Sequence, residues 1–292
     1  MSDTISLPPV ALPPIPLPPI PLPAVSLADL DAVDGLVAEV RWPHRRVDIG
    51  ALIELGHGRL VREGEDGPAL GVGLWWSFDD ALARLGLIIV SPEAQGRGLG
   101  RRLVEALLAD AAPRPVMLLA TRAGKPLYDK LGFVETGSVS QHQGEYRGTP
   151  HRDPRIRPAG PADRTAIAAL DRAAFGTARP EVLDHLLAVG RAAVLVENGT
   201  VAGYAVERPF GRGSVIGPVV ATSEDDAIAL FDALAHPGFL RVDLTTDATR
   251  FARHVSDAGL AFDSASPVMV LGNAPEPSGP QRIFGLASHA LG

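Results

Sequence analysis

Between Ile88 and Leu108 the chain reads IIVSPEAQGRGLGRRLVEALL, and its residue types are those of a phosphate cradle. The apolar β-branched run Ile88-Ile89-Val90 stops at Ser91-Pro92, because proline cannot extend a sheet ladder. Glycines then fall at every second position, Gly96, Gly98 and Gly100. After them Leu99, Leu103, Leu107 and Val104, Leu108 recur at i, i+4 as one helical face. Backbone N–H groups in the first turn of a helix have no intrahelical acceptor and sit at the positive end of its dipole. Glycine removes the Cβ atoms that would hold an anion away from those donors. Arg97, Arg101 and Arg102 add positive charge beside the turn. The stretch is therefore a candidate pyrophosphate site.

Two nucleotide loops do not fit. A Walker A loop needs lysine after its last glycine, and none follows Gly100. The dinucleotide fingerprint needs G-x-G-x-x-G and an acidic residue about 20 residues on. Here the glycines run G-x-G-x-G, and the next apolar run, Val116 to Ala120, ends without Asp or Glu. What remains, V-x-P-x-x-Q-G-x-G-x-G from Val90 to Gly100, closely resembles the acyl-CoA loop of the GNAT N-acetyltransferase superfamily. A second stretch, ATRAGKPLYDKLGF from Ala120 to Phe133, resembles the family's N-x-x-A-x-x-L-Y-x-K-x-G-F signature. Tyr128, Lys130, Gly132 and Phe133 match; Thr121 stands where asparagine is usual, and Gly124 where alanine is usual.

The resemblance implies an N-acetyltransferase that moves an acetyl group from acetyl-CoA to a primary amine by direct attack in a ternary complex. It implies pantetheine hydrogen-bonded along Ile88 and Val90, and pyrophosphate on Gln95, Gly96, Arg97, Gly98, Leu99, Gly100 and Arg101, with Thr121 nearby. By position, Tyr128 takes the role of the acid that protonates the departing thiolate. No general base is advertised. Glu93, Asp79, Asp80, His44 and His142 occupy loops or strand ends, and each is also an ordinary polar residue. Of Trp75 and Trp76, strand alternation places one in the core and the other in reach of the acceptor groove.

The elements that must position these residues run helix (Ala28 onward), helix (Arg46 to Leu55), two strands joined by a turn at 64–68, the strand 81–90, the cradle helix, the strand 116–120, a short helix near Lys125 to Leu131, and a strand from Phe133. After Asp153-Pro154 the order repeats. Pro161 to Phe175 parallels the first helix, Val194 to Arg208 the hairpin, and Val215 to Ala235 the cradle stretch. The expected fold is α+β: two tandem GNAT-like domains, each a mixed, mostly antiparallel central sheet flanked by helices. The division is a proline-rich arm (1–21), a catalytic domain (22–148), a linker (149–154), a degenerate GNAT-like domain (155–273) and a C-terminal tail (274–292). By this alignment Leu22 to Val25 is an edge strand. The second copy carries Thr222-Ser223-Glu224-Asp225-Asp226 where the first carries its cradle, and Val255 where the first carries Tyr128. Carboxylates there would repel a pyrophosphate, so one CoA site is expected.

Composition bounds the rest. The 292 residues are 46% apolar and 21% charged, enough for about two globular domains. A net charge of −7 argues against a nucleic-acid partner and suits a cationic amine, either a small molecule or a peptide. No cysteine is present, and the histidines show no metal-ligand spacing, so no metal is expected. The proline-dense, uncharged stretch from Pro8 to Pro23 cannot span a membrane as a helix. It reads as a polyproline II arm or linker, or as a ligand for an aromatic groove on a partner. A cytoplasmic protein is expected, with no membrane partner; a homo-oligomer is compatible with the sequence. A catalytically silent CoA-binding sensor and an interaction protein using the arm stand as alternatives.

Overall fold

The structure, a computed structural model, describes residues 21–64, 67–149 and 152–292. Nearly all of the proline-rich arm lies outside them. The first half runs α1 (Leu30–Glu39), α2 (Arg46–Leu55), β1 (His57–Arg62), β2 (Ala69–Phe78), β3 (Leu82–Val90), α3 (Leu99–Ala111), β4 (Val116–Leu119), α4 (Lys125–Lys130) and β5 (Val134–Tyr146). The second repeats the order: β6 (Ile156–Pro158), α5 (Arg164–Phe175), α6 (Pro180–Val189), β7 (Arg191–Glu197), β8 (Thr200–Phe210), β9 (Gly213–Ala221), α7 (Glu224–Leu234), β10 (Gly238–Thr245), α8 (Thr249–Asp257) and β11 (Ala261–Leu271). A last strand, β12 (Arg282–Gly285), follows.

The helices bury the faces that their spacing marks out. On α3, Leu99, Leu103, Val104 and Leu107 are buried against β2 and β3. Each such side chain contributes roughly 1.5–3 kcal/mol by leaving water. On α1, Val33, Leu36 and Val37 face the opposite side of the same sheet. Before β1, Ala24 bridges Arg59, with Val25 N–H donating to Gly58 O (3.1 Å) and Leu60 N–H to Pro23 O (3.0 Å). Leu22 to Val25 thus lies at the sheet edge, where proline is tolerated because no further strand needs its missing N–H.

The twelve strands of the described residues form one sheet, ordered β1-β2-β3-β4-β11-β5-β10-β12-β9-β8-β7-β6. The halves have exchanged their last long strands. β11, from the second half, pairs with β4 of the first (Val268↔Leu119 to Leu271↔Val116). β5, from the first half, pairs with β10 of the second (Val139↔Thr245 to Tyr146↔Gly238). The two exchanged strands also pair with each other. Division by residue number at 148/155 is therefore not the division in space. Neither half completes its own sheet, and the backbone hydrogen bonds of β5 and β11 join the two.

The segment 274–292 is built into the fold. β12 enters the sheet, and Ala287, Ala290 and Leu291 join a core with Val33, Leu52, Leu87, Val182 and Leu186 that spans both halves. Arg179, fully buried, donates to the carbonyls of Leu291 (2.7 Å) and Gly292 (2.9 Å) and pairs with both oxygens of Asp171, which also accepts from Tyr204 Oη. The Arg179 guanidinium lies 3.4 Å from the ring centroid of Phe175. Thr177 Oγ1, two residues earlier, donates to Phe78 O across the interface (3.1 Å).

Candidate active site

β3 carries a β-bulge. Its register against β2 shifts between Val72↔Ile89 and Leu74↔Gly86, and Leu87 sits at φ 49° in the left-handed region. A leucine there costs about 1–2 kcal/mol, which burial of its side chain in the interdomain core offsets. The bulge bends the strand and re-aims it. On the other side, parallel pairing with β4 covers only Ala83↔Val116 to Leu85↔Leu118. From Gly86 to Val90, β3 has no strand partner on the β4 side. Ile88 and Val90 lie on this stretch and are half-buried.

β4 ends at Leu119, but β11 continues past it. Ala120 N–H donates to Pro267 O (3.0 Å), and residues 261–267 of β11 remain paired to β5. A cleft therefore opens beyond the end of β4, with β3 as one wall and β11 as the other. One wall of the first half's cleft is supplied by the second half.

The cradle stands at the open end of β3. A 3-10 turn over Pro92–Ala94 leads to exposed Gln95, Gly96, Arg97 and Gly98. Gly96 (φ 77°) and Gly98 (φ 75°) hold left-handed backbone, and a Cβ at either would meet nothing within 4 Å. Their glycine requirement is thus conformational, and the space beside them is open. Gly98 is the N-cap of α3 and offers no side-chain cap; no acidic residue sits in the first turn. The first intrahelical bond is Arg102 N–H to Gly98 O (3.2 Å), so the N–H groups of Leu99, Gly100 and Arg101 precede it. Gln95 Nε2 donates to Val90 O (3.3 Å) and Arg97 Nη2 to Glu93 O (3.0 Å), which fixes the loop. Arg101 pairs with Glu105 on the exposed helix surface (2.7 Å).

Tyr128, on α4, reaches the same region. Its neighbour Leu127 and Val90 flank Gly100, with Cδ2 and Cγ2 at 3.8 and 3.6 Å from a Cβ built there. The phenol is buried, packs edge-on against Phe133 (centroids 5.6 Å apart), and is pushed up to about 12 by desolvation. Thr121 Oγ1 accepts from Gly124 N–H (3.0 Å) at the entry to α4. A Cβ on Gly124 would lie 3.1 Å from Tyr128 Cε2 and 3.2 Å from Thr121 Oγ1. The two departures from the family signature are therefore coupled in space: glycine makes room where threonine and tyrosine crowd position 124.

The polar residues considered as bases separate in space. Asp79 and Asp80 lie in the β2–β3 turn, at the opposite end of β3 from Val90, and Asp80 pairs with Arg114 (2.6 Å). His44 lies between the halves, lining a small cavity with residues of α2, α6 and β8. His142 is buried on β5 beside Ser256 (3.4 Å). Of these five, only Glu93 stands at the Val90 end of β3. Trp75 and Trp76 are both buried on opposite faces of the sheet. Trp76 donates to Leu52 O (3.1 Å), and Trp75 packs on His57 (4.7 Å). Both serve the core.

The equivalent cleft of the second half is filled. β9 and β10 pair in parallel only at Ser214↔Leu240 and Val215↔Arg241. Beyond that, β12 enters between them, antiparallel to both (Leu244↔Gly285; Ala221↔Arg282, Val220↔Ile283). The helix start is blocked as well. Ser223 caps α7 by accepting from Asp226 N–H (3.2 Å), and Glu224 accepts from the N–H groups of Arg250 (2.6 Å) and Phe251 (2.9 Å). Asp225 pairs with Arg250, and Asp226 with Arg155 (3.0 Å).

Residues 54–150 match one acetyltransferase (GNAT) domain model and residues 167–285 another. The chain is 30% identical over 219 residues to the uncharacterized N-acetyltransferase YitH of Bacillus subtilis, covering 72% of this chain and 77% of that protein. This chain belongs to the GNAT acetyltransferases. A structure from Pyrococcus horikoshii described as a candidate acetyltransferase has the same fold (TM-score 0.76, 20% identity, 94% of this chain and 96% of that one). So does a tandem GNAT protein from the clavulanic acid biosynthesis pathway (TM-score 0.64, 13% identity, 87% and 98%). The tandem α+β architecture is thereby shown. Sequence reasoning missed three parts of this GNAT site. Gly86 precedes the Leu87 bulge, but a glycine inside an apolar run does not by itself say that the residue after it turns left-handed. The β11 wall follows from strand order, and β12 lies within 274–292, where the sequence presents only a tail. Among the described residues no helix is long and apolar enough to cross a membrane, and no group of three His, Cys, Asp or Glu could hold a metal ion.

Proposed function

We propose that the first half of this protein transfers an acetyl group from acetyl-CoA to a primary amine. One contrast carries the reading. The first cleft keeps an uncapped, glycine-opened helix start beside an unpaired strand edge, whereas the same positions in the second half are filled by the chain itself.

In this reading the pantetheine amides hydrogen-bond along Ile88 and Val90 as an added strand, and the pyrophosphate rests on Gln95 to Arg101. Thr121 stands at the end of β4 beside the acyl end. The acceptor nitrogen attacks the thioester carbonyl carbon. The developing oxyanion is held by backbone N–H of β3, pre-aimed by the Leu87 bulge. As the tetrahedral carbon collapses, the C–S bond breaks, the thiolate takes the proton of Tyr128 Oη, and the proton shed by the acylated nitrogen returns through water to restore the phenol. The phenol's raised proton affinity keeps it in the neutral, donating form at physiological pH. The acceptor loses its ammonium proton before attack, to water or to Glu93 at the mouth. The net negative chain favours a cationic small-molecule or peptide amine, and a cytoplasmic setting fits an acetyl-CoA substrate.

Titration with acetyl-CoA and thiol release across a panel of primary amines test this. One molecule bound per chain, with amine-dependent release, is expected. Binding without release for any amine would leave a silent sensor; two molecules per chain would contradict the filled second cleft.

A further inference from the structure

Where α2, α6, β8 and the segment after β12 meet, a cavity of about 20 Å³ is lined by His44, Asp48, His185, Arg208, Phe210 and Ser288. That is room for one water-sized occupant. Two buried polar atoms of this lining have no hydrogen-bond partner, Arg208 Nε and His44 Nδ1. Arg208 is 5% exposed. Its Nη2 donates to Ala287 O (2.9 Å), its guanidinium lies 4.8 Å from the Phe210 centroid, and its nearest carboxylate oxygen, on Asp48, is 3.9 Å away. Asp48 is already engaged by Arg45 through both oxygens (2.8 Å each). Arg241, the next cation, is paired with Asp243 (2.7 Å). Ser288 Oγ accepts from Leu291 N–H (3.1 Å), which leaves its hydroxyl proton to donate.

A buried guanidinium with an unused N–H and its nearest carboxylate 3.9 Å away is costly, and leaving such a donor unmet costs more than an average hydrogen bond returns. The lining sets Arg208 Nε–H, the Ser288 hydroxyl and His44 Nδ1 against one carboxylate, Asp48, that already pairs with Arg45. We infer that this cavity binds one monovalent inorganic anion of halide size, held by Arg208 Nε–H, the Ser288 hydroxyl and His44 with its proton on Nδ1. The anion supplies the counter-charge that Asp48 cannot, and it ties three segments from both halves at one point: the loop before α2, β8 and the segment after β12. A positive local potential is consistent with His44 being held down to about 4, by burial first and by the Arg241 charge second. The site is separate from the acetyl-transfer cleft and stands whether or not the first half turns over.

The test uses the full chain. Crystals grown in bromide should show an anomalous peak between Arg208 Nε and His44 Nδ1. At fixed ionic strength balanced with gluconate, each tenfold rise in chloride should raise Tm by about 3 °C once the site is filled. Arg208→Gln should abolish that dependence and Ser288→Ala should weaken it; should Arg208→Gln fail to fold, the bromide peak and the Ser288→Ala titration decide. Equal Tm in chloride and gluconate, or density at the site without anomalous signal, would mean a water and overturn the proposal.

Discussion

At the scale of single residues, the proposed reaction depends on two groups with opposite requirements. In it Tyr128 keeps a proton to donate, and Gly98 presents no bulk of its own. Tyr128→Phe is expected to lower turnover by about 10²-fold or more, the usual contribution of a positioned acid, with acetyl-CoA affinity unchanged in titration. Because burial raises the phenol to about 12, its ionisation begins far above neutrality. The wild-type rate should therefore show no alkaline fall assignable to Tyr128 up to about pH 10; a pH–rate profile checks this. Gly98→Asp should abolish acetyl-CoA binding by two routes, strain at φ 75° and a carboxylate against the pyrophosphate. Gly98→Asn separates them, because asparagine tolerates left-handed backbone and carries no charge. These residues were legible in the sequence because their spacing is local. Glu93, by contrast, is distinguished from Asp79, Asp80, His44 and His142 only by which end of β3 each occupies.

Among the elements, α3 and α7 are the informative pair. They occupy equivalent places, yet one begins on bare left-handed glycine and the other on a serine cap followed by three acidic residues. Ser223→Ala is expected to cost about 1 kcal/mol of stability, read as a fall in the denaturant midpoint, without changing acetyl-CoA affinity. Its silence on affinity would separate the two helix starts functionally. The periodicity of α1 and α3 and the proline tolerance of Leu22 to Val25 were readable because each depends on a few neighbouring residues. The bulge at Leu87 was not: Gly86 hints at an irregularity, but the left-handed residue is the leucine after it, set by register against β2 and by the interdomain core.

For the whole molecule, the exchange of β5 and β11 makes each half incomplete. A chain ending at Arg147 would leave β4 without β11, and β5 without either of its neighbours, exposing unpaired edges. Such a fragment should be insoluble or lack the sharp unfolding transition of the full chain in calorimetry. The buried Arg179–Asp171 pair ties the C-terminal segment to the second half through the carbonyls of Leu291 and Gly292. Arg179→Met should destabilise by about 3–5 kcal/mol, because Asp171 is left as an uncompensated buried charge. Arg179→Met with Asp171→Leu should recover part of that loss. The sequence by itself determined the two repeated α+β units, the glycine-opened helix start and the acidic replacement in the second copy, and it nominated Tyr128, since all of these are patterns within short stretches. Tertiary structure alone decided that the second half walls the first half's cleft and that β12 fills its own. Those outcomes rest on which strands lie side by side, and backbone hydrogen bonding between strands carries no signature of its partner in the local sequence.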